Sequence, residues 1–116
     1  LPPALDVEDL ELNESHILHF ISAWQHLTDA PLAIYTSKRA WHNIVDKDAQ
    51  WPASLPLWVA DWRGYDKPAI PEPWLHWTFW QHTSKGRIPG YTGPVDLNYY
   101  NGTAGHLRDH YQELWT

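Results

Sequence analysis

No cysteine occurs anywhere in the 116 residues, which excludes a disulfide framework, a thiolate nucleophile and a thiolate-held zinc. Methionine is absent as well. Together with the Leu1-Pro2-Pro3 start, this reads as a processed chain or a fragment. Basic residues are few: eight Lys and Arg stand against fourteen Asp and Glu, a formal charge of −6, with no basic run. Nucleic acid is therefore excluded as a partner, because neutralisation of phosphates by Lys and Arg supplies most of that affinity. An anionic membrane surface is excluded on the same ground. No apolar run approaches the ~20 residues of a membrane-spanning helix, and no signal-peptide pattern or internal repeat is visible.

What the chain does have is tryptophan. Nine Trp in a sequence of 43% hydrophobic content are more than the core of so small a domain needs. Some must fill the interior, and the rest are expected to line a groove. Flat indole faces suit sugar rings, which expose C–H bonds on one side and hydroxyls around the rim. The length fits a single domain over residues 1–116.

Apolar periodicity lays out the elements. Residues 3–7 read as a short strand. Asn13 or Ser15 caps a helix in which Ile17, Leu18, Phe20, Ile21, Trp24 and Leu27 recur at three- and four-residue spacing. Residues 32–36 form the next strand, residues 38–45 a shorter helix burying Trp41, and the apolar run 55–60 a third strand covered on both sides. Residues 63–73 are loop, 74–81 a strand, 84–94 loop and 95–99 a last strand. Thr103 caps a C-terminal helix that buries Leu107, Tyr111 and Leu114. The order β-α-β-α-β-β-β-α, with helices between the first three strands, predicts an α/β fold with parallel pairing. Trp24, Trp41 and Trp58 are assigned to packing.

The chemistry sits where such sheets collect it, at the carboxyl ends of strands. Asp6 and Glu8 are two residues apart, so on a strand both leave the same face. Two adjacent carboxylates do not ionise equally easily, and the one that keeps its proton serves as an acid. That is what cleavage of a glycosidic bond requires. Tyr35, Asp61 and Trp62, Gln81, and Asp96 with Asn98 fall at the other predicted strand ends. A metal reading is weaker: His106 and His110 share the i, i+4 spacing of zinc helices, but no Glu follows His106 and no third ligand is evident. No metal and no cofactor are assigned. His82, beside Gln81, is a lesser candidate for substrate contact. Asn13-Glu14-Ser15 and Asn101-Gly102-Thr103 match the N-glycosylation pattern but read as helix caps.

Four motifs then agree with a family in order and spacing: Ala4-Leu5-Asp6-Val7-Glu8, Ala33-Ile34-Tyr35-Thr36, Leu57-Trp58-Val59-Ala60-Asp61-Trp62, and Phe79-Trp80-Gln81 followed by Gly86, Gly90 and Val95-Asp96-Leu97-Asn98. The chain resembles the C-terminal part of glycoside hydrolase family 25, the Chalaropsis-type lysozymes or muramidases. The resemblance implies a modified β/α barrel of the (β/α)5(β)3 type. It implies cleavage of the β-1,4 bond between N-acetylmuramic acid and N-acetylglucosamine in peptidoglycan. It implies Glu8 as general acid, Asp6 as its partner carboxylate and Asp96 as a further active-site carboxylate, with Tyr35, Trp62, Trp80 and Gln81 lining the sugar cleft.

The family's opening Gly-x-Asp-x-Ser strand and its Tyr-His-Phe strand are missing. The expectation is thus a half barrel lacking its N-terminal strands, completed by a complementing N-terminal half or by a second copy. Peptidoglycan glycan strands are the expected partner, and an extracellular or phage-lysis setting the expected location. The alternative is a catalytically impaired half-barrel that binds cell-wall glycan or self-associates.

Overall fold

A computed structural model describes residues 1–111 of the chain. Five strands form one sheet in chain order: β1 (Ala4–Asp6), β2 (Ala33–Thr36), β3 (Leu57–Ala60), β4 (Phe79–Gly86) and β5 (Val95–Tyr100). The first three pairings are parallel and β4–β5 is antiparallel. Between the strands lie α1 (Glu14–Leu27), α2 (Lys38–Ile44) and a 3-10 turn at Trp51–Ser54, and α3 (Ala104–Tyr111) follows β5. This mixed α/β architecture agrees with the expected order. The edges of β1 and β5 carry no strand partner among the described residues.

The helices begin where short polar side chains can take their free N–H groups. Asn13 Oδ1 accepts from the His16 N–H at 3.0 Å, and His16 Nδ1 accepts from the Asn13 N–H at 3.2 Å, a reciprocal cap. Ser37 caps α2 through the Ala40 N–H, and Thr103 caps α3 through the His106 N–H. On α1 only Ile17 and Ile21 are buried, with Trp24 packed against them. Leu18, Phe20 and Leu27 face outward. Leu107 is half-buried and Tyr111 buried, while Leu114 lies outside the described residues.

Strand alternation divides the sheet into two faces. One carries Val7, Ile34, Leu57, Val59 and Trp80, and joins Ile17, Ile21, Trp41 and Trp74 in the core. Trp41 is fully buried, with its ring 4.8 Å from that of Trp74 and 5.9 Å from that of Trp51. The registers Asp6–Tyr35–Trp58–Phe79–Tyr100 and Ala60–Gln81–Asn98 define the opposite face. At its lower end Tyr111 of α3 packs on Phe79 and Tyr100.

The fourth strand departs from expectation. It begins at Phe79 rather than Trp74 and runs to Gly86, into the segment read as loop. Pro71 and Pro73 deny ladder N–H groups to the approach. Trp74 instead turns into the core and donates its indole N–H to Leu55 O at 2.8 Å. The extension beyond Gln81 exists because β5 folds back on it, through two register irregularities.

Candidate active site

The carboxyl ends of the parallel strands form one rim. β5 runs the other way, so its first residues, including Asp96, reach the same end of the sheet. At β1 the backbone is pinned one residue before Glu8. The Val7 N–H donates to Tyr35 O at 2.8 Å, and the buried Thr36 hydroxyl donates to Val7 O at 2.6 Å. Glu8 is therefore held at the rim although its side chain is exposed.

The Glu8 carboxyl lies within hydrogen-bond reach of the Asp6 carboxyl, and its pKa is raised from 4.5 to about 7. Desolvation is the first cause. The hydrogen bond with Asp6 and the repulsion of its charge add to it. Tyr35, directly opposite Asp6 in the register, is pushed up to about 12, first by burial and then by the charges of Glu8, Asp6 and Asp96.

Gln81 ties the neighbouring elements together. Its Oε1 accepts from the Tyr35 hydroxyl at 2.8 Å and from the Trp62 indole N–H at 2.9 Å. Gln81 is buried, whereas Trp62 is 55% exposed and offers its ring to the cleft. Replacing Gln81 by Leu leaves both donors without their acceptor. It is expected to cost about 1–3 kcal/mol, read as a lower urea midpoint with unchanged slope.

The loop after β3 is anchored by Asp61. Its carboxylate accepts from the Arg63 guanidinium at 2.7 and 2.8 Å, from the Arg63 N–H at 3.2 Å and from the Ala69 N–H at 2.8 Å. The Arg63 hydrogen bonds, outweighing burial, bring its pKa from 3.8 down to about 2. The lowered folded value means stabilisation that is present above pH 3.8 and is lost as pH falls through about 2. Asp61→Asn should therefore flatten the stability profile between pH 4 and 2, measured by thermal melts in a pH series.

A cleft of about 840 Å³ opens on this rim, lined by Glu8, Ser37, Lys38, Arg39, His42, Ala60, Asp61, Trp62, Arg63 and Ala69. The structure brings Asp6, Glu8, Asp96, Tyr35, Gln81 and Trp62 to one end of the sheet, and of these Glu8 and Trp62 line the cleft itself. Trp80 does not join them, which corrects the expectation that it lines the cleft. Adjacent strand residues point to opposite faces, so with Gln81 on the carboxylate face Trp80 must lie on the core face. There it is buried and donates its indole N–H to Asp61 O at 2.9 Å. His82 shares the Trp80 face and stacks on Tyr99 with 4.0 Å between ring centroids. Trp58, assigned to packing, is half-buried on the carboxylate face, where its N–H donates to Asn98 Oδ1 at 2.8 Å. Its register opposite Tyr35 puts it there, and no signal within a single strand could have found it. Among the described residues no group of three or more His, Asp or Glu is placed to hold a metal.

An α/β sheet that holds Glu8 beside Asp6 at the rim of a cleft carrying Trp62 has the carboxyl pair that glycoside hydrolases use. This chain belongs to the glycosyl hydrolases family 25, whose family model matches residues 1–91. It is 35% identical over 88 residues to Lysozyme M1 of Streptomyces globisporus, covering 76% of this chain and 30% of that protein. It superposes on the bacterial lysozyme from Streptomyces coelicolor with a TM-score of 0.81 at 31% identity, covering 92% of this chain and 54% of the other. The family 25 lysozyme from Aspergillus fumigatus gives 0.74 at 27% identity, covering 94% and 55%. The chain therefore spans about a third of the length of that curated relative and about half that of the solved ones.

Proposed function

We propose that the protein is a muramidase that cleaves the β-1,4 bond between N-acetylmuramic acid and N-acetylglucosamine in peptidoglycan. The observation that carries this is the place of Glu8, held beside Asp6 at the rim of a family 25 sheet, where its pKa is raised to about 7. A carboxylic acid with that pKa can hand its proton to the leaving glycosidic oxygen near neutrality. Asp6 and Asp96 supply the negative charge that an oxocarbenium-like transition state needs. Tyr35, Trp62 and Gln81 form the sugar-facing wall. The relatives named lysozymes support the same reading.

In this reading residues 1–116 are one unit, the C-terminal half of a (β/α)5(β)3 barrel, and the working partner is a cell-wall glycan outside the cell or during lysis. The open edge of β1 would accept a strand in parallel, from a complementing N-terminal half or a second copy. The same open edge favours the second reading, a half-barrel that holds glycan, or associates with itself, without cutting. Purified peptidoglycan distinguishes them. New reducing ends that become muramitol on borohydride reduction support hydrolysis. Glycan retention without new ends supports the second reading, and glucosaminitol contradicts the first.

A further inference from the structure

Three of the chain's eight Lys and Arg (Lys38, Arg39 and Arg63) line the cleft that Glu8 also lines. Asp61 lines the same cleft and offsets one of them. Arg63 is committed elsewhere, since its guanidinium is paired with Asp61 and lies 4.6 Å from the Tyr65 ring centre. Lys38 and Arg39 are different. Both are exposed, and neither makes an ion pair among the described residues. Nor do they serve as counter-ions to Glu8, whose proton affinity is set by desolvation and Asp6. His42, one turn after Lys38 on the same helix, faces the same space. The cleft thus carries a proton donor from the β1 side and unspent cations from α2. At ~0.1 M salt charges more than about 10 Å away are screened, so a ligand in the cleft meets these cations rather than the chain's net charge.

We propose that Lys38 and Arg39 are the residues of this cleft that hold a carboxylate borne by the glycan. The proposal rests on the reading of the cleft as a glycan site. Two sources have this chemistry: the lactyl carboxylate itself, and the carboxylates of a peptide amide-linked to it. Arg39 can engage either with two parallel N–H donors, and Lys38 with a compact ammonium.

The test measures dissociation constants of the full chain for three tetrasaccharides by tryptophan fluorescence at about 0.1 M salt. One is chitotetraose, one carries free lactyl carboxylates, and one carries peptides on those lactyl groups. The expected result is about tenfold tighter binding of at least one acidic glycan than of chitotetraose. Lys38→Gln/Arg39→Gln should abolish that preference. Lys47→Gln/Lys85→Gln, which removes the same charge elsewhere, should keep it. The acidic glycan that loses its advantage identifies the source of the carboxylate. Equal binding of all three glycans, or equal loss in both double variants, overturns the subsite alone. If no glycan binds at all, the reading of the cleft falls with it.

Discussion

Glu8→Gln is expected to lower the rate of glycan cleavage by at least ~100-fold, the scale of a lost general acid, while leaving the fold intact. The amide keeps the shape of the carboxyl and cannot deliver a proton. The same residue fixes the pH profile. Its folded pKa of about 7 predicts that wild-type activity falls as pH rises through 7, because the donor is then ionised. Stability follows the same group. Its folded pKa lies above the ordinary 4.5, so protonated Glu8 favours the folded state below pH 4.5, and that contribution is lost as pH rises through about 7. Glu8→Gln removes the repulsion with Asp6, so at pH 8 the variant should melt no lower than wild type. An inactive variant with an undiminished melting temperature separates lost chemistry from lost folding. Retained activity in Glu8→Gln would falsify the assignment of the acid.

Trp80→Ala is expected to cost about 3–5 kcal/mol, as large aromatic truncations in cores do. Domains of this kind hold only about 5–15 kcal/mol in total, so much of the population should unfold under mild heat or denaturant. The ring fills the core face beside Val59 and Trp77, and its N–H satisfies Asp61 O, which in turn steadies the loop that carries Trp62. Truncation removes apolar contact and leaves that carbonyl without its donor. Trp62→Ala offers the contrast. More than half exposed, it should cost no more than about 1 kcal/mol, the scale of its hydrogen bond to Gln81, and act on glycan affinity instead. Chemical denaturation of both variants, followed by circular dichroism, reads the difference. A Trp80→Ala protein as stable as wild type would place the indole in the cleft after all.

Much of this architecture is written in short-range signals. Asn13, Ser37 and Thr103 each cap the helix that follows, and the apolar runs at 33–36 and 57–60 are strands, although the face of 57–60 that carries Trp58 and Ala60 is only half-covered. The start of β4 was hidden by composition. The segment from Trp74 to Trp80 is as aromatic as a strand, but Trp74 and Trp77 are spent on the core, and the two prolines before them prevent pairing. The pairing of Asp6 with Glu8 was legible because both leave one short stretch of chain, β1 and the two residues after it. It was illegible where register between strands decides. Whether Trp58 or Trp80 shares the face of Tyr35 depends on parity across three strands, which a motif does not contain. The bond from Trp58 to Asn98 spans forty positions of sequence and appears only once β5 turns back along β4.

The chemistry of this site turns on the proton of Glu8. Carbon-13 labelling of the glutamate carboxyls, with Glu8 assigned by comparison to Glu8→Gln, permits its titration to be followed directly by nuclear magnetic resonance. A midpoint near 7 that drops when Asp6 is replaced by Ala is the predicted result. A midpoint near the ordinary 4.5, unmoved by that replacement, would contradict it.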